Sequence, residues 1–268
     1  MSERFAINVE DLTIEARADA GWISLVKGIS FQVQEKRVAG LIGESGSGKT
    51  LTARVIAGLL PRHMRMRARR LEVLGHDVCD WDRQQEIARG RNIGFVFQHP
   101  MSMLTPVLTI GEQLTEGIRF HLKLGRRAVR NQAIAMLAQV GLKDNAEAVM
   151  RSYPHMLSGG MLQRIMIAMA LLPGPRLLIA DEPTTALDVT TQVRVLELLS
   201  NLTQEMELSV LFISHDMSVI ANVCDDVMVM EQGHLIELGS VEHVFSHPQS
   251  DYTKRLLEAT AWHMRQPI

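Results

Sequence analysis

The chain has 268 residues, 46% of them hydrophobic and 22% charged, enough apolar side chain for one large core or a core with an insertion. A formal net charge of -2 gives no basic excess, so no nucleic-acid partner is expected, and two isolated cysteines, Cys79 and Cys224, suggest neither a disulfide framework nor a cysteine metal site. The longest apolar run, residues 165–172, is far shorter than a bilayer-spanning helix and no apolar stretch follows Met1 to Arg4, so a membrane role is expected to come through a partner and the chain to reside in a reducing cytoplasm.

Residues 29–33 alternate and predict a half-exposed strand; residues 38–42 are more continuously apolar and predict a second one. The second opens directly into Gly43-Glu44-Ser45-Gly46-Ser47-Gly48-Lys49-Thr50, which fits G-x-x-x-x-G-K-[ST] at every fixed position. Ser45, Gly46, Ser47 and Gly48 are small enough to let backbone N–H groups approach a polyphosphate. Lys49 neutralises its charge, and the Thr50 hydroxyl can ligate magnesium. A helix predicted over 50–57 adds the partial positive charge of its N-terminus. Strand, loop and helix together predict a nucleoside triphosphate site.

Arg65, Arg67 and Arg69 then alternate with Met64, Met66 and Ala68, the period of a strand with one charged face. That face reads as a solvated edge or as a contact to an acidic partner or phospholipid head groups. A strand is predicted over 93–97. Residues 98–165 carry few strand signals and show helical spacing at Ile134, Leu137 and Ala138, closed by Gly141, which predicts a helical insertion. Pro154 marks a loop ahead of a helix over 161–172, terminated by Pro173 and Pro175.

Strands over 177–180, 210–213 and 227–230 complete an α/β alternation, and the first two are apolar enough to be central parallel strands covered on both faces. The first ends in Asp181-Glu182, two carboxylates at the C-terminal edge of a strand: Asp181 is placed to hold magnesium, Glu182 to orient or deprotonate a water. The second ends in Ser214-His215-Asp216, where His215 can bond a terminal phosphate or the attacking water, or be an ordinary satisfied histidine. Ser158-Gly159-Gly160, just ahead of the 161–172 helix, is either a second anion-binding helix start or a plain N-cap. Sixteen methionines spread through helix-period segments read as core packing, and the histidines enclose no acid in a metal-binding pair, so no nickel site is expected on this chain.

In this order the motifs resemble the nucleotide-binding subunit of ABC transporters over residues 5–257. The resemblance implies a P-loop NTPase (RecA-like) α/β core with a mixed or parallel sheet and an inserted helical subdomain. It makes residues 1–97 and 166–240 the ATP-binding core, 98–165 the helical signature subdomain and 241–268 a C-terminal tail. Gly43 to Thr50 becomes the Walker A loop, Gln98 the Q-loop glutamine and a magnesium contact, and Ser158-Gly159-Gly160 the signature. Asp181 becomes the Walker B aspartate, Glu182 the catalytic glutamate and His215 the switch histidine. In Thr185-Ala186-Leu187-Asp188, Asp188 becomes the D-loop acid at a dimer seam. Trp22 lies upstream where an aromatic of this family stacks on adenine, with core packing as its other role. The family signature usually continues with glutamine where this chain has Met161; that removes one polar contact but leaves the serine and the backbone donors, so a tuned site is expected.

A subunit of this kind hydrolyses ATP with Mg2+ in a composite site, its phosphate loop capped by the signature of a second ATP-binding subunit, here expected to be a different chain. The implied partners are two membrane permeases and, indirectly, an extracytoplasmic solute-binding protein. The implied location is the cytoplasmic face of the inner membrane, as a peripheral subunit. Residues 100–114 and the tail His247-Pro248-Gln249-Ser250-Asp251-Tyr252-Thr253 resemble the oligopeptide, dipeptide and nickel importer group. The methionine signature with residues 165–170 is closest to nickel or metal-chelate importers. Nickel, an opine-like chelate and a peptide all stay open as cargo, and two cysteines in a chain that ends early leave no expectation of an iron–sulfur cluster. An exporter ATPase is the alternative, since motor motifs do not encode direction. A soluble ABC ATPase unlinked to transport would normally carry a second cassette or a long coiled-coil insertion.

Overall fold

Residues 4–19, 21–78, 90–122, 124–185 and 187–259 are described by the structure, a computed structural model; Cys79 and Ala186 of the D-loop lie outside them. Up to residue 78 the elements are β1 (Phe5–Ala18), β2 (Gly21–Gln34), β3 (Val38–Ile42), α1 (Lys49–Ile56), β4 (Met64–Arg67), β5 (Arg70–Val73) and β6 (His76–Asp77). Next come β7 (Ile93–Val96), α2 (Pro100–Met103), α3 (Ile110–Leu122), α4 (Arg126–Leu137), α5 (Ala146–Arg151), α6 (Gly159–Leu171), β8 (Leu177–Asp181) and α7 (Val189–Glu205). The last stretch holds β9 (Ser209–Ser214), α8 (Met217–Val223), β10 (Asp226–Glu231), β11 (His234–Ser240), α9 (Val241–Ser246) and α10 (Asp251–Ala259). Two units result, Met1–Trp81 with Leu208–Ile268, and Asp82–Glu207.

In the first unit an antiparallel sheet runs β2-β1-β5-β6, with β4 also paired to β1. A second sheet carries β10, β3 and β9 in parallel, with β11 antiparallel on β10. The apolar strands read from the sequence are all present; β1, β5, β6 and β11 were not legible there. In β1 residues 6–9 are buried without a break and burial then resumes at Leu12 and Ile14, because Asp11, at φ 56, inserts an irregularity between Val9 and Leu12. A bulge of this kind breaks the alternation by which a strand is recognised. The arginine stripe of β4 meets acids of β1: Arg65 reaches Glu15 at 2.7 Å, Arg67 the same carboxylate at 3.7 Å, and Arg69, just beyond the strand, Glu10 at 3.0 Å. These are surface pairs, screened by solvent, and contribute little to stability.

In the second unit β7 and β8 pair in parallel. Helix α4 runs into a π turn, Ala138–Leu142, in which Gly141 takes φ 77 and ends the helical path, as the spacing before it predicts. Helix α6 is apolar on most of its circumference, burying Leu162, Ile165, Met166, Ile167 and Ala168, and packs against β7, α4 and α7. Full burial of each large side chain here is worth about 1.5–3 kcal/mol, which fixes the helix that Ser158, Gly159 and Gly160 open. Strands β8 and β9 are buried at every residue, as their continuous apolarity predicts.

Candidate functional site

The first unit builds the phosphate loop at the end of β3. Parallel β9 ends in register with it, Ile42 opposite Ser214, so Gly43 and His215 leave neighbouring strands at one edge. Gly43 is required by proximity: a Cβ there would stand 2.1 Å from the carbonyl oxygen of Met230 and 2.8 Å from Ser47 Oγ. Gly46 and Gly48 have φ of 84° and 106°, a region costly for residues with a Cβ, and Gly48 is the N-cap of α1. Ser45 and Gly46 form the exposed crest, while Ser47 is buried and its carbonyl accepts from Gly233 N–H at 3.1 Å. Thr50 is half-buried in the first turn of α1.

Lys49 is only 4% exposed, and its Nζ donates to Gly43 O at 2.7 Å, Glu44 O at 2.8 Å and Ser47 Oγ at 3.4 Å. A desolvated ammonium requires such acceptors. A phosphate oxygen, being charged, is a stronger acceptor than a carbonyl, so this lysine sits where a polyphosphate would draw it. His215 is exposed and is flanked by a tied turn: Asp216 N–H donates to Ser214 Oγ at 2.9 Å, and Asp216 Oδ1 caps α8 through Ser218 N–H at 2.8 Å. Trp22 opens β2, 40% exposed, with the Arg65 guanidinium 4.1 Å from its ring centre.

The second unit brings Gln98, Asp181 and Glu182 to one strand edge, since Val96 and Ala180 are in register in parallel β7 and β8. Asp181 is 3% exposed. Glu182 sits at φ 46, a left-handed setting that a residue with a Cβ holds at a cost. Its Oε2 accepts from Gln98 Nε2 at 2.7 Å and from Thr185 Oγ1 at 2.9 Å. The glutamine and the glutamate, far apart in sequence, thus form one hydrogen-bonded group.

Ser158 caps α6 by accepting Met161 N–H at 3.4 Å, yet it and Gly159 stay exposed, so the cap and an anion-binding turn are compatible. Gly160 faces α7, where a Cβ would meet Thr191 Cγ2 at 2.7 Å. Asp188 caps α7 through Thr191 N–H at 3.0 Å, and that backbone hydrogen bond holds its carboxyl below the usual range. Among the described residues no group of three or more His, Cys, Asp or Glu could hold a metal ion, and no helix is long and apolar enough to cross a membrane.

The profile of the ABC transporter family matches residues 26–185, more than half of the chain. The chain belongs to the ABC transporter family. Relatives include the dipeptide transport ATP-binding protein DppD of Bacillus subtilis, 41% identical over 253 residues that span 94% of this chain and 75% of that one. The glutathione import ATP-binding protein GsiA of Escherichia coli is 43% identical over 259 residues, again 94% of this chain, which spans only 41% of that relative's length. Among solved structures, cbiO1 of Clostridium perfringens, part of the transporter complex cbiONQ, superposes with TM-score 0.76 at 25% identity, covering 98% of both chains. The dimeric cassette MJ0796, in a post-hydrolysis state bound to ADP and Pi, superposes with TM-score 0.77 at 25% identity over 88% of this chain and 98% of that one. As an ABC family member with an α/β P-loop fold, the chain is an ATP-binding ATP hydrolase.

One contact of this ABC ATPase escapes any local sequence pattern. The tail 247–253, legible as a marker of the importer group, carries Tyr252, whose phenol oxygen accepts the Glu44 N–H of the phosphate loop at 2.9 Å. The residues concerned are 208 positions apart, and no spacing rule connects them.

Proposed function

We propose that the chain is the ATP-hydrolysing motor of an ABC importer, energising uptake of a peptide-class solute through partner permeases. The observation that carries the proposal is the phosphate loop, where a nearly buried Lys49 is held by the carbonyls of Gly43 and Glu44 in a cradle that a Cβ at Gly43 would close. Names of relatives that serve dipeptide and glutathione uptake support the direction and the cargo class. Nickel and opine-like chelates are the finer alternatives suggested by the methionine signature.

In the proposed mechanism the triphosphate enters the 43–50 loop, and Lys49 Nζ exchanges the Glu44 carbonyl for phosphate oxygens while keeping the Gly43 carbonyl that orients it. The Thr50 hydroxyl in one unit and the Asp181 carboxylate and Gln98 amide oxygen in the other are each oxygen donors of the kind a hard cation takes and would hold Mg2+; Gln98 spends its nitrogen on Glu182, which leaves its oxygen for this use. Bound Mg2+ would neutralise charge on the β- and γ-phosphates. Glu182 orients the attacking water and takes up its proton, while His215 bonds the γ-phosphate. Ser158, Gly159 and Gly160 of a second, different ATP-binding subunit supply donors to the same phosphate, with Asp188 at the seam. Trp22 stacks on adenine, its ring oriented by Arg65.

Closure rests on contacts made only while the γ-phosphate is present, and hydrolysis removes that differential affinity. The helical segment 98–165, hinged at Gln98, passes the motion to two permeases at the cytoplasmic face of the membrane, to which a solute-binding protein delivers cargo. The test is co-purification of the complex from membranes, followed by vesicle uptake of labelled dipeptide, glutathione and nickel(II). Peptide uptake is expected, and Glu182→Gln should lower ATP turnover by about 10²–10⁴-fold while MgATP stays bound. Normal turnover in that variant would overturn the assigned role.

A further inference from the structure

We infer that Tyr252 is a positioning residue for nucleotide binding: its phenol oxygen locks the Gly43–Glu44 peptide of the phosphate loop in the orientation that places Lys49. The inference rests on the reading that this loop binds ATP. Tyr252, only 5% exposed in α10, accepts the Glu44 N–H at 2.9 Å. The carbonyl of that same peptide, Gly43 O, accepts Lys49 Nζ at 2.7 Å. One peptide plane is therefore held at its N–H by α10 and at its C=O by the lysine, and a rotation of the plane breaks both bonds. Glycine at 43 leaves the adjoining backbone freer than any other residue would, so an external hold is what confines it.

The hold is itself braced. Glu237 of β11 accepts Gln249 N–H at 2.8 Å, Ser250 N–H at 3.1 Å and Thr253 Oγ1 at 2.6 Å, fixing the start of α10. Arg255 lies 3.6 Å from Glu231 at the end of β10 and 5.8 Å over the Tyr252 ring. Burial raises the pKa of the phenol, so it stays a neutral acceptor. Because the Glu44 N–H is turned to α10, Tyr252 acts on the nucleotide through the shape of the loop.

The test titrates the full-length chain with fluorescent MgATP and MgADP, comparing wild type, Tyr252→Phe and Lys49→Ala. Tyr252→Phe keeps the ring and removes one acceptor. The Kd for both nucleotides is expected to rise about fivefold, the equivalent of one neutral hydrogen bond. kcat in the assembled complex should stay within about twofold, and amide exchange at residues 43–50 should accelerate, because only ordering of the loop is lost. Glu237→Gln should weaken nucleotide binding in the same direction. If wild type binds, Lys49→Ala does not, and Tyr252→Phe binds as wild type does, this inference fails while the ATP reading stands. A lowered melting temperature with unchanged nucleotide affinity would also overturn it, by assigning Tyr252 to stability alone. Failure of wild type itself to bind MgATP would overturn the parent reading.

Discussion

Replacing Gly43 by alanine tests whether the path of the phosphate loop past β10 sets nucleotide affinity. The new Cβ would stand 2.1 Å from the Met230 carbonyl oxygen. A carbon–oxygen contact relaxes near ~3.3 Å, so the two backbones must part by about 1.2 Å. Strand β10 is hydrogen-bonded by β3 on one side and β11 on the other, which leaves the loop as the part that moves. Misplacement of about 1 Å in groups that align reacting atoms costs on the order of 10²-fold. The control is Gly117→Ala on the exposed face of α3, where a Cβ meets nothing within 4 Å and the helix gains about 1 kcal/mol. Fluorescent MgATP titration and thermal melts read both variants. Gly43→Ala is expected to bind MgATP more weakly and, in the assembled complex, to turn ATP over about 10²-fold more slowly. Gly117→Ala should bind as wild type and melt roughly 2–4 °C higher. Binding by Gly43→Ala within about threefold of wild type would refute the reasoning, since the clash would then have been absorbed without moving the loop.

The two roles of Ser158 separate in Ser158→Asp, which keeps a side-chain cap on α6 and so preserves the melting temperature, but sets a carboxylate against the γ-phosphate and should abolish ATPase activity of the assembled complex. Retained activity would reduce Ser158 to a cap. Burial works to raise the Glu237 carboxyl, yet hydrogen bonds from Gln249, Thr253 and Ser250 and the charge of His243 hold it below the ordinary 4.5. The unfolded chain therefore takes up this proton first, so the stabilisation is whole above the ordinary value and is lost as pH falls through the lower folded value. Urea midpoints of wild type and Glu237→Gln should differ near pH ~7 and converge as pH falls through the lowered folded value, and a gap independent of pH would contradict this.

Local pattern alone determined that residues 43–50 are a phosphate loop between strand and helix, that 177–180 and 210–213 are interior strands, and that carboxylates and a histidine stand at their ends. Such features depend on residue type and on periods of two or three to four, which neighbouring positions carry. Tertiary structure decided the rest. β1 hid behind the bulge at Asp11, because an irregular register erases the period that marks a strand. The bond from Gln98 to Glu182 depends on Val96 lying opposite Ala180, and the reason for glycine at 43 is a carbonyl on β10. The Tyr252 bond to Glu44 depends on a terminal helix returning to the loop. Strand register and helix docking bring distant residues within hydrogen-bonding distance, and neither leaves a mark in the spacing of residues along the chain.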